Sequence, residues 1–398
     1  MSCLLSAERS LGRLTEVLSR PGIRDLWAAD ALRREAIASK DLDGRKVDWE
    51  DLAVARLDPG LLPQALRPTV LQPLRLMAAA ELMIRGIELL DAARPDQEPP
   101  AEAPPPSPLI GTDLDSVAAD ARRAAAAIDA FISGVGHEPR DEGEGPPAPC
   151  KLIPLSAPWL AAAWRRLSPY PSPLPRPGDL AALIEDGLRF PGLSGVAMAM
   201  HLLDQAGDLF PEPELTDLTE ALNPEREVAI RIMESRAVNQ PISPKSSFIR
   251  LLAPWLVQRS CGLQSPGPWL SPALSDSKSG YLAARSSTVG DWFAWLYPAM
   301  ADGFDRERKR IAEIEAILAG WEAAFAADKR RWNASRDSLV CLLDQPVATS
   351  LSLVRQRGFS RRAAQMLISD LQKAGILHHV RQAKGREWWV AERLRWHG

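Results

Sequence analysis

Residues 358–390 read GFSRRAAQMLISDLQKAGILHHVRQAKGREWWV and combine three kinds of local signal. Ser360 stands where a helix N-cap is expected, and Gly375 stands where that helix is expected to stop. Between them, apolar side chains recur at helical spacing along one side; they are Ala363, Ala364, Leu367, Ile368 and Leu371. After Gly375, the apolar runs 376–380 and 387–391 flank a basic tip, which predicts a hairpin.

The residues before this stretch predict two further helices. Residues 335–345 form the first, with Ser335 as its N-cap and Pro346 just beyond its end. Residues 350–358 form the second, which a Thr349/Ser350 cap begins and Gly358 stops. A helix, a helix-turn-helix and a hairpin in this order predict a winged helix-turn-helix domain over residues 333–398.

The polar side of the third helix carries candidate DNA-binding residues, which are Ser360, Arg361, Arg362, Gln365 and Ser369. A helix of this kind fits the major groove of double-stranded DNA, where arginine and glutamine side chains reach base edges. On the hairpin, Arg381, Lys384 and Arg386 are predicted to neutralise phosphates. The alternative is a module for dimerisation or for docking another protein.

The formal net charge of −3 is unevenly distributed. From Lys329 to the C-terminus, fourteen lysines and arginines stand against five acidic residues. The net charge is therefore +9 for this part and −12 for the residues before it. A basic module on an acidic body indicates an anionic partner for the module.

The rest of the chain predicts a mostly α protein with two interruptions. Residues 94–108 and 137–149 are rich in proline and acidic residues and are typical of extended spacers. Helices are predicted over 4–20, 24–42, 113–132, 177–190 and 225–238, and one or two more over 291–332. The predicted organisation is 1–93 helical, 94–150 linkers around one helix, 151–332 helical core and 333–398 winged domain.

Composition narrows the class of protein. The four cysteines are far apart in sequence and form no C-x-x-C pair, which favours a reducing compartment and gives no zinc signature. The N-terminus lacks the pattern of a signal peptide, and no apolar run is long enough to span a bilayer. We therefore expect a cytoplasmic protein, and the sequence implies no cofactor.

Three pieces of the body resemble the Fic family, whose members typically transfer AMP from ATP to protein hydroxyls. Residues 31–52 are similar to the family's N-terminal segment, in which a helix carries an inhibitory Ser/Thr-x-x-x-Glu-Gly motif. Here the motif corresponds to Ser39, Asp43 and Gly44, with Asp in place of Glu. Residues 268–304 resemble the region after the active site, and a long helix before a winged domain is a common arrangement in the family. The resemblance implies a Fic-like helical body.

The family's catalytic motif, H-P-F-x-D/E-G-N-G-R-x-x-R, is missing. In that motif the histidine takes a proton, the acid holds Mg²⁺, and the loop and arginines bind phosphates. If Arg250 matches the last arginine, Asn239 takes the histidine position and 244–246 (Pro-Lys-Ser) replaces the Gly-Asn-Gly loop. If instead 200–210 matches the helix running into the motif, Asp208 takes the histidine position. In neither alignment is the catalytic base or the phosphate-binding Gly-Asn-Gly loop present.

These observations predict a DNA-binding regulator, acting as a homodimer on two half-sites, with a catalytically degenerate Fic-like body. Two alternatives remain open. One is a divergent Fic-like nucleotidyl transferase that uses another base. The other is an antitoxin-like partner of a Fic enzyme, acting through residues 39–44.

Overall fold

A computed structural model describes residues 2–62, 66–85, 154–167, 176–210, 244–325, 339–357, 360–383 and 386–395. The predicted linkers over 94–150, with the helix at 113–132, lie outside the described residues, as does the helix predicted over 225–238. The described chain is mostly helical, as the sequence predicts.

The described part of the body is built of helices. They are α1 (Ser2–Leu18), α2 (Ile23–Leu42), α3 (Trp49–Leu57), α4 (Arg67–Arg85), α5 (Ala157–Leu167), α6 (Pro177–Leu188), α7 (Gly192–Gln205), α8 (Pro244–Ser260), α9 (Ser271–Ser275), α10 (Lys278–Arg285) and α11 (Val289–Phe325). Of the range 291–332, for which one or two helices are predicted, the described residues as far as Phe325 belong to the single helix α11, which continues through Pro298.

Helix α2 lies at the centre of the body. It contacts α1, α3, α4, α8, α9 and α11, and every residue from 30 to 40 is buried. An ordinary surface helix buries one apolar stripe, but α2 buries its whole circumference, including charged side chains. The other elements therefore have to supply a partner for each buried charge.

Residues 339–395 form a C-terminal module of helices and a small sheet. After the helical residues 339–344 come β1 (Val347–Ala348), α12 (Ser350–Arg357), α13 (Arg361–Lys373), β2 (His378–Ala383) and β3 (Arg386–Val390). The sheet is antiparallel with β3 between β1 and β2, and Val390 pairs with Val347 on one side and His378 on the other. The sequence predicts the two hairpin strands but not β1, which has only two residues.

Local signals place the ends of α13 where the sequence predicts them. The Ser360 hydroxyl accepts a hydrogen bond from the Ala363 N–H at 3.2 Å, so the predicted N-cap is confirmed. At the other end, Gly375 adopts φ +68°, and the Ile376 N–H donates to the Leu371 carbonyl at 2.9 Å. This is the Schellman arrangement, in which glycine avoids the steric cost of the left-handed conformation.

Hydrogen bonds from the body join the C-terminal module to it at the end of helical residues 339–344. The Arg33 guanidinium donates to the carbonyl of Leu343 at 2.6 Å and also to that of Asp344. Arg56 donates to the same Asp344 carbonyl at 2.9 Å, and the Gln345 side chain donates to the Ala53 carbonyl at 2.7 Å. The last carbonyls of a helix lack intrahelical partners and carry partial negative charge, so guanidinium groups satisfy them well.

We predict that replacing Arg33 by Met lowers the free energy of unfolding by about 2–4 kcal/mol, because a buried carbonyl loses its donor and charged hydrogen bonds are lost. Amide exchange in residues 339–344 should also accelerate. Urea unfolding and hydrogen exchange measure the two effects. Arg13→Met on the exposed side of α1 is the matched control and should change neither. Equal effects of the two substitutions would show that Arg33 does not join the module to the body.

Candidate functional site

The predicted DNA-binding side chains of α13 lie together on its outer face. Arg361, Arg362 and Gln365 are exposed, and Ser369 is half-buried. The opposite face packs into the module through Ala364, Ile368 and Leu371, which are buried as the sequence predicts. The structure thus brings four of the predicted residues onto one accessible surface, with the N-cap Ser360 at its start.

The hairpin carries the predicted wing residues. Arg381 lies on β2 opposite Trp388, and Arg386 begins β3 opposite Ala383. Lys384, at the tip, lies outside the described residues. The register shifts between His379 and Arg381, and an irregularity of this kind increases the local twist of a hairpin.

The outer face of α13 carries more positive than negative charge. Its only acidic residue, Asp370, lies 3.9 Å from Lys373 of the same helix. Neither Arg361 nor Arg362 forms an ion pair with a described residue. Two guanidinium groups without an ion-pair partner attract an anionic surface.

The docking of the module leaves this face uncovered. Within the described residues, the hydrogen bonds and ion pairs between body and module reach residues 343–345 and the chain after β3. In the latter, Arg310 donates to the Leu394 carbonyl at 2.9 Å, and Arg395 lies 3.7 Å from Asp48. The helix α13 is therefore held by its inner face and presents its outer face to solvent.

Met366 also belongs to this face, and it is not among the residues predicted to bind DNA. Met366 is 51% exposed, although its neighbours along the helix alternate between buried apolar and exposed polar side chains. Methionine carries neither a charge nor an amide, so its residue type does not indicate DNA binding. The helical spacing from Arg362 was the signal that could have placed Met366 on the same face.

The second candidate site is the buried polar cluster formed by Ser39, Lys40, Asp43, Ser247 and Arg250. Arg250 donates to the Ser39 hydroxyl and the Ser39 carbonyl, each at 3.0 Å, and to the Asp43 carboxylate at 2.7 Å. Residues 39 and 43 are two of the three positions that resemble the inhibitory motif. The third, Gly44, adopts φ +80° just after the end of α2.

Lys40 and Ser247 complete this cluster. The Lys40 ammonium donates to Asp43 at 2.9 Å and to the Gln72 side chain at 2.8 Å, and the Ser247 hydroxyl donates to Asp43 at 3.2 Å. Burial by itself raises the pKa of the Asp43 carboxyl, but Arg250 and Lys40 hold that pKa below its ordinary value. Asp43 is therefore a carboxylate, and its negative charge lies between two cations.

A shallow cleft lies beside the start of α8. It is lined by Met200, His201, Asp204, Ser246, Ile249, Tyr281, Arg285 and Trp292. Its volume of about 10 Å³ is space for about one water molecule, so a nucleotide does not fit in this conformation. Lys245 lies 5.1 Å from the centre of the Phe210 ring, and the Arg285 guanidinium pairs with Asp204. The cations here are thus already engaged.

The two alignments with the Fic motif can be placed on the structure in part. Asn239, the first candidate for the histidine position, lies outside the described residues, while Pro244 begins α8. Asp208, the second candidate, lies in the 3₁₀ turn Gly207–Leu209. His201 lies on α7 and lines the cleft.

The chain matches no protein-family model and none of the curated proteins. None of the described helices combines the length and apolar character that crossing a membrane requires. In the part of the chain that the structure describes, no group of three or more His, Cys, Asp or Glu side chains is arranged to hold a metal ion.

Glu35 lies in the middle of α2 and is completely buried. Its carboxyl group accepts hydrogen bonds from the Ser271 hydroxyl at 2.5 Å and from the Ser271 N–H at 3.0 Å. Burial raises the pKa of Glu35 to about 7, and the contacts with Ser271 and the charge of Arg250 offset only part of that effect. Glu35 therefore changes its charge near neutral pH inside the core.

This pKa predicts a specific pH dependence of stability. Between about pH 4.5 and 7 the folded protein binds one more proton at Glu35 than the unfolded chain, so this contribution to stability is lost as the pH rises through 7. Raising the pH from 5 to 8 should cost the wild type about 2–3 kcal/mol relative to Glu35→Gln, since one pKa unit is worth about 1.4 kcal/mol.

Urea unfolding of both proteins across this pH range measures the difference. Glu16→Gln at an exposed position of α1 serves as the control and should follow the wild type. Parallel curves for wild type and Glu35→Gln would contradict a raised pKa.

Proposed function

We propose that this chain is a double-stranded-DNA-binding protein and acts as a transcriptional regulator. The observation that carries the proposal is the outer face of α13, where Arg361, Arg362 and Gln365 are exposed and unoccupied by described residues. Many charged side chains of the body are paired with one another, whereas neither of these two arginines has an ion-pair partner among the described residues.

The order of elements in the module supports this assignment. A helix, a short strand, two helices and a hairpin, with the hairpin's second strand at the centre of the sheet, are typical of a winged helix-turn-helix domain. In helix-turn-helix proteins the second helix of the pair lies in the major groove. By position α13 corresponds to that helix, and β2 and β3 correspond to the wing.

The proposed contacts divide into two classes. Arg362 and Gln365 reach base edges, while Arg361 and the wing residues Arg381, Lys384 and Arg386 neutralise phosphates. A single module of this size binds DNA with modest affinity, so we propose a homodimer that binds two half-sites.

The proposal predicts salt-dependent binding that depends on α13. Fluorescence anisotropy with a random duplex should show binding that weakens steeply between about 50 and 200 mM salt. Replacing Arg361 and Arg362 by Ala should weaken binding at least about tenfold, and it should reduce the slope of log affinity against log salt by about 1, because only Arg361 of the two is assigned to a phosphate.

The matched control removes the same charge elsewhere. Arg9 and Arg13 are exposed on α1, and their double Ala variant changes the net charge by the same amount. It should bind DNA like the wild type. An equal loss of DNA affinity in both variants would mean that net charge, and not the face of α13, causes the effect. Absence of DNA binding by the wild type at low salt would refute the proposed function.

A second candidate function is a divergent nucleotidyl transferase with a Fic-like body. The observation that favours it is the 2.7 Å contact between Arg250 and Asp43. The resemblance assigns Arg250 to phosphate pairing and Asp43 to the inhibitory motif. A carboxylate on this guanidinium occupies the place that a phosphate would take.

The transferase candidate predicts that Asp43→Ala frees Arg250 and permits binding of Mg²⁺-ATP, which calorimetry detects. Asp41→Ala is the control, because Asp41 lies two positions before Asp43 and is partly exposed. Binding by the Asp43 variant alone would favour the transferase. No binding by any of the proteins would remove this candidate.

The antitoxin-like alternative has less support from the geometry. Ser39 is fully buried, and the Asp43 side chain is 3% exposed and held by Arg250 of the same chain. To enter a second protein, this segment would first have to leave its own core. We therefore rank a Fic enzyme as partner below DNA.

A further inference from the structure

Met366 occupies the centre of the outer face of α13. Successive residues of a helix are rotated by about 100°, so Met366 lies one turn after Arg362 and one turn before Ser369 on the same side. The buried residues Ala364, Ile368 and Leu371 lie on the opposite side. Met366 therefore points away from the module, as Arg362 and Lys373 do on the same side.

A single exposed apolar residue requires no explanation by itself. The position of Met366 is what distinguishes it, because the exposed residues on this face are cationic or carry amides (Arg361, Arg362, Gln365 and Lys373), while the carboxylate one turn further on, Asp370, is half-buried and lies 3.9 Å from Lys373. A face that served only to neutralise phosphates would place a cation at its centre. An apolar side chain there suits a partner that is anionic at its edges and apolar in the middle.

The major groove of DNA has this character. Phosphates line both rims, and the floor carries hydrogen-bonding groups together with one apolar group, the C5-methyl of thymine. We propose that Met366 contacts a thymine methyl group and that the protein therefore selects its DNA by base sequence. The inference rests on the DNA-binding function proposed above.

The helix also fixes the distance to the next contact. Four residues of helix rise about 6 Å, which corresponds to roughly two base-pair steps when the helix lies along the groove. Arg362 then reaches a base pair about two steps from the thymine, where guanine offers two acceptors to a guanidinium. The selected site should contain a thymine and a guanine at about this separation.

The experiment uses the full-length chain and begins with selection of binding sites from a random duplex pool. Each thymine of the selected site is then replaced in turn by deoxyuridine, which lacks only the methyl group. At one position this replacement should weaken wild-type binding about fourfold, the value expected for one buried methyl group. Met366→Ala should be insensitive to it, whereas Met366→Leu should retain most of the discrimination.

A control variant changes an exposed apolar residue of the body. Leu5 on α1 is 48% exposed, and Leu5→Ala should discriminate thymine from deoxyuridine like the wild type. DNA binding without any thymine-sensitive position, or sensitivity that survives in Met366→Ala, would overturn the inference and leave the DNA-binding function intact. No DNA binding by the wild type would overturn both.

Discussion

The burial of helix α2 on all sides is the constraint on which the rest of the structure depends. Charged groups inside a protein lose the hydration that stabilises them, and they remain charged only if the surrounding elements provide partners. Asp30 shows how completely this is done: burial raises its pKa, yet Arg34 and Arg310 hold that pKa well below its usual range. Arg34 in turn donates to Glu307 of α11, whose carboxylate also accepts from the Trp27 indole at 2.7 Å.

The polar groups of α2 connect parts of the protein that are far apart in sequence. In the middle of α2, Arg33 reaches the C-terminal module, and at its C-terminal end Ser39 and the following Asp43 engage Arg250 of α8. Between them, Glu35 holds the first residue of α9. One helix therefore sets the positions of α8, α9, α11 and the module. A change at one of these contacts disturbs a helix that the others share.

The sequence predicted what depends on local signals. Ser360, Gly375 and the apolar face of α13 act within one or two turns, so their residue types were enough to place the helix. The partners of Arg33 and Arg250 could not be predicted, because Leu343 and Asp43 lie hundreds of positions away and an arginine in a helix is ordinarily taken as a surface residue. Strand β1 was not predicted because two residues are too few to show a periodic pattern. Met366 was not predicted because only charged and polar residues of α13 were considered as DNA contacts.

The attachment of the module through Arg33 and Arg310 has a geometric consequence for a protein bound to a duplex in the proposed manner. A body held at a fixed angle to α13 projects from the DNA in a direction that the position of the binding site determines. Since the duplex turns once in about 10.5 base pairs, copies half a turn apart project from opposite faces, and copies a full turn apart project from the same face. The number of base pairs between two neighbouring sites, counted in turns of the duplex, then decides whether the helical bodies of the two bound copies can contact each other.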